Sequence, residues 1–141
     1  MRRFPAAPLL LLLLGAAPPL ADLEVDVEGM RNSRGLLHVC ITQDRSAFPD
    51  CRSDPTAHRQ TTAATDRSLH LNGLEPGRYA VTLFHDENAN HRLDKLLGIP
   101  REGFGFSRNP KLRMGPPRYD SVDIELRRGL TRTRVRMQYL L

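Results

Sequence analysis

The chain has 141 residues, 40% hydrophobic, 26% charged and 6% aromatic, with a formal net charge of +5. That is enough for one core and too short for two ordinary domains. It holds no heptad, collagen or solenoid repeat and no apolar run of the roughly 18 residues that a membrane-spanning helix requires, so those architectures are excluded.

The first segment, Met1-Arg2-Arg3-Phe4, precedes six leucines, Leu9 to Leu14, and then the small residues Gly15, Ala16 and Ala17. A basic start, a short apolar run and small residues after it are the layout of a secretory signal peptide, expected over 1–21. Cleavage is placed after Ala21, because a cut after Ala17 would put Pro18 beside the scissile bond; an uncleaved anchor is the alternative. A single domain, 22–141, then resides in the periplasm or outside the cell. Loss of Arg2 and Arg3 leaves a formal charge of +3 on 120 residues. Export and so mild a charge both count against a nucleic-acid partner. In an oxidising compartment Cys40 and Cys51 are expected to form a disulfide, and without CxxC spacing a reactive thiol pair is the weaker reading.

Along the domain, Leu23, Val25 and Val27 alternate with Glu24, Asp26 and Glu28, a half-buried strand. After a turn cluster ending at Gly35, Leu37, Val39 and Ile41 alternate with His38, Cys40 and Thr42 as a second strand. Residues 43–57 read as a polar connection, 58–65 are ambiguous, and 68–71 form a short extended piece. The turn Asn72-Gly73-Leu74-Glu75-Pro76-Gly77 leads into Tyr79, Val81 and Leu83 on one face with Ala80, Thr82 and Phe84 on the other. Apolar side chains on both faces predict a central strand. From 87 to 119 the pattern is irregular and rich in glycine and proline, which marks a functional loop or one hiding a small element.

The C-terminal segment predicts a hairpin turning at Arg128-Gly129. Val122, Ile124 and Leu126 would face inward against Val135, Met137 and Tyr139, with Asp123 opposite Arg134 and Glu125 opposite Arg132. Short strands without an amphipathic helix point to an all-β fold, an antiparallel β-sandwich of about seven strands with one long Gly/Pro-rich loop. A small closed barrel is the alternative.

The densest set of polar ligands is His85-Asp86-Glu87-Asn88-Ala89-Asn90-His91-Arg92-Leu93-Asp94. Oxygens of Asp86, Asn88, Asn90 and Asp94, with the Arg92 carbonyl, have the spacing of a calcium loop, and an all-oxygen donor set suits calcium. His91 stands where such loops place glycine, and Leu97 where they place a bidentate glutamate; Glu102 or Glu87 would have to supply that carboxylate. The competing expectation is a loop whose Asp and Asn side chains satisfy their own backbone without metal. Phe104 and Phe106, spaced by glycines, either stack on a ligand or fold back over the core. His85 beside Asp86 invites an acid–base reading, although no nucleophile accompanies them.

The runs Leu74-Glu75-Pro76-Gly77-Arg78-Tyr79-Ala80-Val81, His85 to Asn90, Leu93-Asp94 and Gly98 to Ser107 resemble an exported bacterial family, domain of unknown function 2141. The resemblance extends to Gly35, Phe48-Pro49 and Gly115-Pro116-Pro117, and at His91 the family usually has glycine. It implies a sandwich similar to transthyretin-like or immunoglobulin-like modules, and no activity. The C-terminal tail of transthyretin-like purine-pathway hydrolases is not matched by Met137 to Leu141. The expected function is a non-enzymatic, calcium-stabilised module binding an envelope or extracellular protein, peptide or glycan through the loop from Asp86 to Tyr119. His85, Glu102, Phe104 and Phe106 are its candidate contacts. A hydrolase using His85, Asp86 and Glu102, or a purely structural envelope protein, are the alternatives.

Overall fold

The computed structural model describes residues 15–16 and 19–141. The expected signal peptide therefore falls largely outside the described residues. The strands, in chain order, are β1 (Ala21–Glu28), β2 (Leu36–Thr42), β3 (His58–Ala63), β4 (Ser68–Leu74), β5 (Gly77–Asp86), β6 (Lys95–Leu96), β7 (Ile99–Pro100), β8 (Gly103–Phe106), β9 (Ile124–Leu126) and β10 (Gly129–Arg136). One sheet has the order β10-β1-β4; the other runs β3-β2-β5-β8, with β9 also paired to β5. The two pack face to face as an all-β sandwich.

Period-two alternation builds the core. The inward row of β1 (Leu23, Val25, Val27) meets Leu37, Val39 and Ile41 of β2 and Tyr79, Val81 and Leu83 of β5, with Leu69, Leu71, Leu126, Val135 and Met137 closing the cluster. Ala21, placed last in the leader by the sequence, is the buried first residue of β1, opposite Gly129 and Leu74. As expected, β5 is central: β2 flanks it along Ala80–Asp86, β8 along Thr82–His85 and β9 along Gly77–Tyr79.

The second face of β5 carries a smaller cluster of Ala80, Phe104, Phe106, Tyr119 and Val122, with Phe48, Phe84 and Leu112 packed against it. The irregular stretch after Asp86 does contain regular elements: β8, the small β6–β7 hairpin and a 3-10 helix, Tyr119–Ser121. In Gly103-Phe104-Gly105-Phe106 the phenylalanines point to this cluster, while the glycines lie under the C-terminal segment. A Cβ on Gly103 would run into the Tyr139 ring, and one on Gly105 into Val135.

Three expectations need correction. The C-terminal hairpin does not form: β9 pairs antiparallel with β5 in one sheet, and β10 crosses to the other and runs parallel to β1. The arginine row finds acids, but on β1: Arg132 stands 3.3 Å from Glu24 and Arg134 3.2 Å from Glu28. Both β1 and β9 offer alternating acids, and only the packing of two sheets decides between them. Asp123, expected to face outward, is buried and held by Arg78 at 2.6 Å and Arg108 at 3.4 Å. The ambiguous segment is the edge strand β3, whose side chains are mostly exposed and so carry no apolar alternation.

Cys40 on β2 and Cys51 in the connection to β3 form the disulfide, with Cα atoms 6.3 Å apart.

Candidate functional site

The polar residues singled out above gather where β5 ends. Alternation along β5 sends His85 toward the sandwich core and Asp86 to the opposite face, and both are fully buried. Nε2 of His85 lies 2.6 Å from the Arg34 carbonyl, and Nδ1 lies 2.9 Å from the Tyr139 hydroxyl. A carbonyl only accepts, so Nε2 carries a proton and the hydroxyl takes the other nitrogen. Both nitrogens of His85 are thus engaged inside the protein.

Asp86 organises the loop that follows it. Its Oδ1 accepts the backbone N–H of Asn90 at 3.0 Å; its Oδ2 accepts the N–H of His91 at 2.7 Å and faces Nε2 of His38 at 3.0 Å. Burial pushes the carboxyl up, and the hydrogen bonds from His38, His91 and Asn90 outweigh it, so the pKa of Asp86 lies below the ordinary carboxylate value. Ala89 and His91 occupy the left-handed region at φ 55° and 60°, His91 at the position calcium loops give to glycine.

Glu102, also buried, clamps the two ends of the loop by accepting the N–H of Glu87 at 2.9 Å and of Asp94 at 3.1 Å. The carboxylate of Asp94 takes the side-chain amide N–H of Asn88 at 2.7 Å and of Asn90 at 2.9 Å, which hold its pKa below the usual range. Asn88 Oδ1 in turn accepts the Asn90 N–H, and Asn90 Oδ1 accepts the Arg92 N–H. Asn88 and Asn90 therefore reach Asp94 through their amide N–H groups, while their oxygens, like Asp86, are turned onto loop N–H groups. To hold calcium, the two amides would rotate their oxygens toward Asp94 and release the N–H groups of Asn90 and Arg92. Arg92 lies at the exposed rim.

Phe104 and Phe106 are buried in the second apolar cluster, 6.0 Å apart between ring centroids. Glu87 is gripped by Arg31 and Asn32; the Arg31 guanidinium beside it holds its carboxyl at about 2, against some opposing burial. Arg31 also lies over the Tyr139 ring at 4.5 Å. Sequence reasoning did not single out His38, His91 or Arg31 as partners of this site. The available signal for His38 was its place on the outward row of β2, the same face as Asp86.

The loop then projects the hairpin of β6 and β7. Leu96 pairs with Ile99, and the two-residue turn between them places Leu97 at φ 51° and Gly98 at φ 80°. Positive φ at both positions is the hairpin turn that normally selects Asn-Gly. Here the first position is a leucine 95% exposed to solvent, flanked by the exposed Leu96 and Ile99. Among the described residues, no helix is long and apolar enough to cross a membrane.

A family model described as "Uncharacterized protein conserved in bacteria (DUF2141)" matches residues 25–134, and the chain belongs to that family. No curated protein and no solved structure matches the chain.

Proposed function

We propose that this member of the DUF2141 family is an exported binding module that engages an envelope or extracellular protein or peptide through the tip of the β6–β7 hairpin. The observation that carries this reading is Leu97. A leucine in the left-handed region of a turn is unfavourable locally, and full exposure of its side chain adds nothing to the fold. Both features are accounted for when the side chain inserts into a partner's pocket, as apolar anchors do at the centre of interfaces. An apolar tip of Leu96, Leu97 and Ile99 suits an apolar protein groove better than the hydroxyl-rich surface of a glycan.

The polar loop beneath the tip is the rigid base. Glu102 fixes its two ends and Asp86 its middle from buried positions, so the hairpin is presented in one orientation and little ordering is left to be done on binding. Calcium held by Asn88, Asn90 and Asp94 would stiffen that base further.

The test is site-specific photo-crosslinking in the cell envelope, with the crosslinking residue at position 97 and, as control, at the exposed Arg132 on the far sheet. A discrete protein adduct formed from 97 and absent from 132 is expected. Leu97→Asn, which suits the turn, should keep the melting temperature while abolishing the complex in a pull-down of the identified partner. No adduct from 97, or adducts equal from both positions, overturns the reading.

A further inference from the structure

His38, Asp86 and His91 each bring one ligand atom to within 4.8 Å of the other two. They come from three separate pieces of chain: the outward row of β2, the end of β5 and the loop beyond it. We propose that these three side chains form a site for a divalent transition metal ion of the zinc class. It goes beyond the binding role of the hairpin tip and does not depend on it.

The donor set is two imidazole nitrogens and one carboxylate oxygen, which zinc and its neighbours prefer and calcium does not. His38 Nε2 and Asp86 Oδ2 lie 3.0 Å apart, a separation that either an N–H on Nε2 or a metal ion between the two atoms accounts for. A zinc-class ion about 2.0 to 2.2 Å from each atom needs only a small opening of that pair.

The surroundings of both ligands support the exchange. Nδ1 of His38 lies 2.9 Å from the Thr61 hydroxyl, which can accept an N–H there and so hold the tautomer whose Nε2 is free for metal. The His38 ring is stacked on Phe84 at 4.3 Å, which fixes its plane. Asp86 keeps the N–H groups of Asn90 and His91 while its remaining lone pairs face His38, so its carboxylate stays ionised and aimed.

His91 completes the set. Its backbone sits at φ 60°, a conformation that favours glycine, held by its own N–H bond to Asp86. Its ring lies edge-on to His38 with centroids 5.3 Å apart, and the residue is exposed. Three protein ligands with one solvent-facing side leave a fourth position for water or for a partner's ligand.

Titration of the purified protein with Zn²⁺ by calorimetry tests this, with Co²⁺ as a spectroscopic probe. Saturable binding at one equivalent is expected, with cobalt bands of a low-coordinate nitrogen and oxygen site. His91→Gly, which relieves the backbone and should fold, is expected to weaken zinc by about tenfold or more, as is His38→Gln. His70→Gln, an imidazole elsewhere, and Leu97→Asn are expected to leave zinc binding unchanged. Absence of saturable zinc binding, or equal affinity in wild type and His91→Gly, overturns the proposal. So does displacement of zinc by millimolar calcium, which would assign the ion to the oxygen-only loop.

Discussion

Asp86 and His38 are diagonal neighbours across the β2–β5 ladder: Asp86 lies opposite Leu36 and His38 opposite Phe84, which puts both on the outer face with Nε2 3.0 Å from Oδ2. Because Asp86 also accepts two loop N–H groups, it joins β2, β5 and the loop at one carboxylate. Asp86→Ala should therefore lower stability by roughly 2 to 4 kcal/mol, since each polar group left unpaired costs about 1 to 3 kcal/mol. Urea denaturation measures it, and an unchanged midpoint would deny the carboxylate its anchoring role.

The acid side of the stability profile should report this region together with the other paired carboxylates. Glu87 is held at about 2 against an ordinary value of 4.5, and Asp54, Asp86, Asp94 and Asp123 are also depressed. A depressed folded-state pKa means that the contribution is complete above the unfolded value and is lost as the pH falls through the folded one. The melting temperature should be nearly level above pH 5 and fall steeply from about 4.5 toward about 2. Glu87→Gln should flatten part of that fall; an acid limb identical to wild type would refute the role of the Arg31–Glu87 pair.

Gly35 has φ 72°, and a Cβ there would collide with the backbone carbonyl of Asp86, whereas Gly98 at φ 80° faces open space. Gly35→Ala should cost about 3 kcal/mol or more, because neither the backbone of β5 nor φ can relax. Gly98→Ala should cost about 1 kcal/mol, the left-handed penalty alone. Equal effects in thermal melts would count against the close approach of Gly35 to β5.

Reducing the Cys40–Cys51 bridge, or Cys40→Ser, should lower the melting midpoint by an amount corresponding to about 3 kcal/mol, as expected for a loop of about 12 residues. Reductant should bring wild type to the level of the variant. A midpoint unmoved by either would deny the bridge a stabilising role.

Calcium at millimolar concentration should raise the melting temperature, with a dissociation constant of about 10⁻⁴ to 10⁻³ M. Asp94→Ala should abolish the effect, because Asp94 is the carboxylate on which Asn88 and Asn90 converge. No heat and no shift would leave the loop as one that satisfies its own hydrogen bonds.

Local pattern was sufficient for much of the molecule. Alternation at Leu23–Val27, Leu37–Ile41 and Tyr79–Leu83 specified β1, β2 and β5 and their inward rows, because a period of two admits only one face to the core. Apolar residues on both faces placed β5 at the centre, and two cysteines with no others to pair with left one bridge to form. Clustered Asp and Asn marked the loop after β5 as polar and convergent, since short polar side chains bond the backbone within a few residues.

Tertiary structure decided what depends on distance in space. Arg132 and Arg134 fit acids on either β9 or β1, and only the crossing of the chain between sheets gave them Glu24 and Glu28. β8 alternates glycine with phenylalanine; its strand exists because β5 pairs with its edge, the C-terminal segment covers its glycine face and the second apolar cluster takes its phenylalanines. His38 is 48 residues from Asp86 in sequence, and no local signal joins them. Sequence settles which face a residue takes along its own strand, because that is local geometry. Which strand lies beside it is settled by the packing of two sheets, to which the whole chain contributes.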